Sequence, residues 1–473
     1  MNAYLVSQLP LIAGIFALLI LAPALIRGKD LISAIISILS VAGTIVLMCL
    51  LPASSKYYGG AILVTALGKS VAGIALTFII LAFVLTYGYL QRIHVMEVEW
   101  RLTVLFISLG IYNLSFAEDL ATIFIAFELL SIPSYALVGF SRRDGRSNEA
   151  GMKYLVLGII GSAFLLIGIT FVYGASGQIF ISGIKEDLMA GLAIARTSPS
   201  GQLEIDLYRI ALGAFIASLF FKTAVAPFHG WLLDVYKGSS YAALSIIGVA
   251  AKVAGFGLLF KLLHGPFEPL RETWTSILGL AAIASFVFGG FQGLYQRNVK
   301  RILASSSVLN AGFILLSMLG DGRQFTFYLA AYSAATLGVI AYLMSSGTAH
   351  ADVDVVEDLH GTSRKHPAVA LGFTVVLCSS AGVPLTAGFI AKFGVIYSML
   401  QGPEKLPGLA AVAGALCSVL AFYYYFKIIR AIWFESEIVT QVREQKRAYL
   451  IVCVLLVCAL LAGGIYPPAL TWI

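Results

Sequence analysis

The chain has 473 residues, 59% of them hydrophobic and only 12% charged, with a formal net charge of +7 and a mean hydropathy of +0.92. Soluble domains carry about 25% charged residues, so a soluble globular fold is excluded. The basic residues are scattered over short loops, which reads as topology signalling rather than nucleic-acid binding.

Apolar runs of about 20 residues match a helix crossing ~30 Å of hydrocarbon, and the alternation of a transmembrane β-barrel over about 10 residues is absent. The fold class is therefore an all-α polytopic membrane protein. The first run, Tyr4 to Ile26, lacks a basic leader and a small-residue cleavage site, so it reads as a retained helix rather than a signal peptide. About fourteen spans follow one another near 3–26, 31–52, 70–90, 101–117, 120–140, 154–173, 206–236, 240–264, 274–295, 301–319, 325–347, 369–400, 408–434 and 448–466. The seventh and twelfth are overlong and contain Pro227 and Pro384, so they are expected to be discontinuous helices.

Loops after odd-numbered spans carry Arg27 and Lys29, Arg92, Arg142, Arg143 and Arg146, Lys237, Arg297 and Lys300, Arg364 and Lys365, and Arg443, Lys446 and Arg447. Loops after even-numbered spans carry fewer basic residues. The positive-inside rule then places the odd-to-even loops in the cytoplasm and both termini outside. The loop 174–205 contains the polar tract Ala195 to Gly201 and reads as a surface excursion without catalytic content. The acidic, then basic connection His350 to His366 reads as solvated, with a peripheral partner as its alternative use. The segment Glu435 to Arg447 is amphipathic enough to lie along a membrane surface.

Charges within the apolar runs carry the functional signal, because an ammonium at membrane depth costs roughly 2.5–3.5 kcal/mol on insertion scales. Glu128 lies mid-span in ATIFIAFELLSIPSYALVGF, with Ser131 at i+3 on the same face. Lys222 stands five residues before Pro227, where a broken helix frees carbonyls and admits water; snorkelling to the interface is its bland alternative. Lys252 sits twelve residues into the eighth span among Gly248, Ala250, Ala251, Ala254 and Gly255, too deep to snorkel and with room for close helix approach. Lys392 follows Pro384, repeating the logic of Lys222. Lysine, unlike arginine, exchanges its proton when buried, and no arginine stands at these depths. Glu128 opposite Lys222 would form a pair whose separation sets proton affinity.

His229, two residues past Pro227, either passes protons near neutral pH or caps the break. Glu149 and Lys153 have the i, i+4 spacing of a helix pair. Lys69 reads as an interfacial anchor. The five cysteines, Cys49, Cys378, Cys417, Cys453 and Cys458, have no metal-ligand spacing and read as packing residues. No residue pattern holds a flavin, haem or iron–sulfur cluster, so any electrons travel on other subunits.

Six stretches together, FELLSIPSYALVGF, SNEAGMKYLVLG, FKTAVAPFHGWLLDVYKGSS, AAKVAGFGLLF, RNVKRILASSSVLNAGF and AGVPLTAGFIAKF, resemble the antiporter-like membrane subunits of complex I, the proton-pumping NADH:quinone oxidoreductase. They span roughly 100–400 in the order of that family and look most like its subunit N branch. The resemblance implies fourteen helices with two inverted five-helix repeats: N-terminal helices in 1–100, a first repeat in 101–264, a second in 265–434, and a connection with the last helix in 435–473. It implies a proton relay in which Glu128 and Lys222 are coupled, Lys252 is central and Lys392 terminal, with His229 and Glu149 secondary.

It also implies that this chain binds no cofactor. NADH, flavin, iron–sulfur clusters and quinone would belong to partner subunits, reached through the other membrane-arm subunits, in a bacterial cytoplasmic (inner) membrane. Two positions depart from the family: Asn310 stands where a histidine is common, and Lys69 lies near a customary acid. The competing readings are a D-type subunit of a multisubunit cation/proton antiporter, a hydrogenase-linked ion pump, and an inert scaffold whose charges only assemble neighbours.

Overall fold

In the computed structural model the described residues are 2–25, 30–195, 199–347, 352–435 and 447–466. Two apolar helices, α1 (Ala3–Leu25) and α2 (Asp30–Leu50), pack on each other and on a third and fifth helix. A two-residue antiparallel ribbon, Lys56–Tyr57 with Ile62–Leu63, turns through Gly59 and Gly60, whose φ values of 67° and 101° suit residues without a Cβ. Next come α3 (Ala66–Thr86), the short α4 (Tyr89–Arg92), α5 (Glu97–Phe116) and α6 (Leu120–Val138). Asp119 caps α6 by accepting from the Thr122 amide at 2.9 Å. Helix α7 (Gly145–Ser176) runs for 32 residues.

The segment 174–205, expected to be a surface excursion, instead folds largely into α8 (Ile181–Ala195), with Ile181, Ile184 and Leu188 buried on one face. Its apolar residues recur at helical spacing, a signal that the flanking polar tract obscured. Of that tract, residues 196–198 lie outside the described residues, as do 436–446 of the amphipathic segment and 348–351 of the acidic connection.

The seventh span is broken as its proline foretold. Helix α9 (Pro199–Thr223) stops at a left-handed Ala224 (φ 57°), and the chain resumes helically only at α10 (Leu232–Gly238). Trp231 Nε1 donates to the Phe221 carbonyl at 3.1 Å and Ser285 Oγ accepts from the Ala226 amide at 3.0 Å, so the break satisfies groups a helix would have paired. The eighth span comprises α11 (Tyr241–Ser245), a π turn (Ile246–Ala250) and α12 (Ala251–His264). Then follow α13 (Arg271–Leu294), α14 (Val299–Ser317) and α15 (Gly322–Ser346).

The short α16 (Thr362–Lys365) leads into the second broken span. There α17 (Pro367–Ala381) ends on Gly382, Leu385 takes a φ of 71°, and Thr386 caps α18 (Ala387–Gln401). Helices α19 (Lys405–Trp433) and α20 (Arg447–Ile465) complete the chain.

Ten helices among the described residues are long and apolar enough to cross a membrane. Burial separates them into two groups. The span Tyr241–His264 is wholly buried and α14 is 94% buried, whereas the best apolar window of α7 is 28% buried. Helices α12, α14 and α15 are therefore the axis of the bundle. The helices around them turn residues such as Ile159, Leu416 and Val454 outward, as a lipid-facing surface requires.

Candidate functional site

Three lysines singled out in the sequence lie along this axis and the two breaks, with Glu128 on the neighbouring α6. Lys222, Lys252 and Lys392 are each at most 6% exposed, and Glu128 is half-buried on α6.

Lys222 points from the last turn of α9 toward α6. Its ammonium donates to Ser131 Oγ at 2.8 Å and sits 5.1 to 5.8 Å from the ring centres of Tyr135, Phe127 and Tyr154, an aromatic cage suited to a cation. Tyr154 in turn stacks on Trp231, the residue that seals the helix break, with ring centres 4.7 Å apart. Lys222 makes no ion pair with Glu128. Glu128 Oε1 is buried with no hydrogen-bond partner.

Glu128 and Ser131 lie three residues apart on α6, and Ser131 is the one that contacts Lys222. Ser131 was legible from its i+3 spacing. The cage was not, since Tyr135 and Tyr154 belong to different helices and meet only in the fold.

Lys252 lies on α12 immediately beyond the π turn. It donates to Ser307 Oγ of α14, which is 2.8 Å from Tyr332 Oη of α15, and Tyr332 donates to the Gly248 carbonyl in the π turn at 3.0 Å. Helices α9 and α12 meet closely: a Cβ at Gly255 would stand 2.8 Å from Thr223 Cγ2 and 3.6 Å from Lys222 Cγ. The two lysines therefore rise from helices in direct contact.

Lys392 lies on α18, and its ammonium donates to the carbonyls of Ser380 at 2.8 Å and Ala381 at 3.3 Å. These are the last carbonyls of α17, the negative end of a helix, where a cation is favoured. Gly382 is required twice over: its φ is +88°, and an added Cβ would approach Lys392 Cδ to 3.0 Å. The Phe313 ring lies 5.5 Å from the ammonium.

Asn310 stands between the last two lysines. Its amide donates to the Ser306 carbonyl at 2.9 Å and accepts from Tyr328 Oη at 3.0 Å, while Ser306 Oγ shares a short hydrogen bond with Tyr425.

The remaining candidates do not join this row. His229 is buried in the break, 3.3 Å from Gln292 Nε2 and against the Phe288 ring. Glu149 is exposed and pairs with Lys153 at 2.7 Å. Lys153 also reaches Asp234 at 3.2 Å, and Asp234 holds Arg301 at 2.8 Å, a surface network tying α7, α10 and α14.

Several buried charges escaped the sequence reading. Lys300, counted as a loop charge, is buried in the first turn of α14, donating to the Ser239 carbonyl at 2.9 Å and lying 4.7 Å from the centre of the Tyr241 ring. Arg101, placed at the mouth of its span, is fully buried one turn into α5, 3.6 Å from Glu97. Lys261, one of the last residues of α12, pairs with Glu118 at 3.2 Å. The connection expected to be solvated is partly interior: Asp352 pairs with Arg92 and accepts from Tyr89 at 2.5 Å, and Val353, Val356 and Leu359 are buried. For Lys300, Lys261 and Asp352 the missing information is the partner from a distant part of the chain, and for Arg101 it is Ser33 of α2, which accepts from its guanidinium.

The family pattern described as NADH:quinone oxidoreductase/Mrp antiporter, transmembrane, matches residues 117–466. NADH-quinone oxidoreductase subunit N 1 of Herpetosiphon aurantiacus is 33% identical over 409 residues, covering 85% of this chain and 80% of that one. A chain of respiratory complex I from Thermus thermophilus, solved with bound aureothin, superposes with a TM-score of 0.81 at 28% identity and covers 98% of both chains. A chain of the Mrp complex from Dietzia superposes with a TM-score of 0.79 at 17% identity, covering 98% of this chain and 95% of that one, a likeness of fold.

Proposed function

The chain belongs to the NADH:quinone oxidoreductase/Mrp antiporter transmembrane family, and we propose that it is the proton-translocating subunit N of a complex I membrane arm. It is a subunit of a translocating NADH-quinone oxidoreductase that works beside other membrane-arm subunits, as its relatives do by name. NADH, flavin, iron–sulfur clusters and quinone belong in this reading to partner subunits, and this chain moves protons only. The bilayer is a bacterial inner membrane, with both termini outside.

The proposal includes fourteen spans in two inverted five-helix repeats, 101–264 and 265–434. What supports the repeats is a shared device: each contains one broken helix with a left-handed non-glycine residue at the break, Ala224 or Leu385, beside a buried lysine.

Within that frame Glu128 tunes Lys222 through space, Lys252 is the central station and Lys392 the last. The single observation that carries the reading is that the three lysines are buried with no contacting carboxylate among the described residues, held by hydroxyls, rings and carbonyls. A stabilising scaffold would pair such charges, since an unpaired buried charge is costly. A relay needs them able to gain and lose a proton. Glu149 and His229 take secondary parts, at the surface network and at the break.

The test is Lys252→Met in the assembled complex in inverted membrane vesicles. The proposal expects normal assembly and fewer protons moved per NADH oxidised. Poor assembly with unchanged protons per NADH in the complexes that do form would favour the scaffold.

A further inference from the structure

Asparagine cannot carry a proton by titrating, so the passage from Lys252 to Lys392 has to use other groups. Donor counting gives the polar strip between them a direction. An ammonium only donates, so Lys252 donates to Ser307. Tyr332 gives its single hydroxyl hydrogen to the Gly248 carbonyl at 3.0 Å, which leaves Ser307 as donor in its 2.8 Å contact with Tyr332. The donor chain therefore runs away from Lys252 and ends on a carbonyl of the π turn.

Beside Tyr332 lies a cavity offering about 20 Å³ to a water-sized molecule, lined by Ser306, Asn310, Tyr328, Tyr332, Ser380 and Lys392. One water needs roughly 10–15 Å³ and two to four polar partners. The cavity suits a single molecule that touches both the end of the donor chain and the last lysine.

We propose that the Tyr332 hydroxyl and one water in this cavity carry the proton from Lys252 to Lys392, with Asn310 as a positioning residue that shapes the cavity. The inference rests on the relay reading above. In the parked state Tyr332 points at Gly248. When it turns into the cavity, Lys252 passes a proton to Ser307 Oγ as the hydrogen of Ser307 passes to Tyr332 Oη. The hydrogen of Tyr332 then passes to the water, and a hydrogen of the water to the neutral Lys392 amine. Every hydroxyl and the water end with the hydrogens they began with; Lys252 becomes an amine and Lys392 an ammonium. Asn310 fixes the floor of the cavity through Ser306 and Tyr328, with both ends of its amide engaged.

The test compares Tyr332→Phe, Lys252→Met and a control, Tyr342→Phe, ten residues further along α15, in the assembled complex in inverted vesicles. Tyr332→Phe is expected to lower the proton-pumping rate at least tenfold and to raise its solvent deuterium isotope effect, which a purely structural lesion would not do. Tyr342→Phe is expected to stay within twofold of the parent. If Lys252→Met lowers the protons moved per NADH while Tyr332→Phe stays within twofold of the parent, this inference is overturned and the relay stands. If Lys252→Met pumps normally, the relay reading itself fails. Should Tyr332→Phe not assemble, the cavity of the unaltered complex decides at high resolution: an ordered water between Tyr332 Oη and Lys392 Nζ supports the proposal, and a dry cavity overturns it.

Discussion

Lys222 donates its 2.8 Å hydrogen bond to Ser131 Oγ, one turn beyond Glu128 on α6. The serine hydroxyl holds the ammonium, which makes two separable predictions. Ser131→Ala removes a hydrogen bond to a charged group, an interaction of about 1.5–3 kcal/mol, and should slow proton pumping roughly tenfold or more with assembly intact. Ser131→Thr keeps the hydroxyl and should recover most of the rate. Vesicle acidification driven by NADH measures both.

Gly382 is expected to tolerate no side chain. Gly382→Ala would place a residue with a Cβ in the left-handed region, at a cost of about 1–2 kcal/mol, and would also press on Lys392 Cδ. Both lower thermal stability and slower pumping should result. A variant that keeps its stability and pumps at the parental rate would show that Lys392 is not held against the end of α17.

Lys261 and Glu118 form a mostly buried pair at 3.2 Å. Breaking such a pair from one side leaves a charge without its partner, which costs more than removing both. Glu118→Gln should therefore reduce the yield of assembled complex more than the double change Glu118→Gln with Lys261→Met. The comparison is a quantified immunoblot of the purified membranes.

Glu149 pairs with Lys153 in solvent, where an i, i+4 pair contributes only about 0.3–0.5 kcal/mol. Glu149→Gln should leave the pumping rate within threefold of the parent, far milder than any substitution of Lys252. A tenfold loss would place the surface network of Lys153, Asp234 and Arg301 on the proton path itself.

The all-helical, polytopic class and both breaks were legible because hydropathy length and proline position act locally: α9 ends and α18 begins within a few residues of Pro227 and Pro384. Lys222, Lys252 and Lys392 were legible because a charge in apolar sequence is conspicuous wherever it lands. What holds them was not. Tyr135 with Tyr154, Ser307 with Tyr332, and Ser306 with Tyr425 are pairs from different helices, and periodicity along one helix carries no record of its neighbour. The same limit hid Lys300 and Arg101, whose positions near helix ends resemble loop charges until the chain around Asp352 and α2 closes over them. Helix α8 escaped for another reason, since its apolar spacing is short and sits beside a polar tract.

The most direct measurement is the number of protons moved per NADH oxidised by the assembled complex carrying Lys252→Met, compared with the parent in the same inverted vesicles. The buried row of Lys222, Lys252 and Lys392 predicts a complex of normal composition that moves fewer protons per NADH. An unchanged ratio in a normally assembled complex would contradict it.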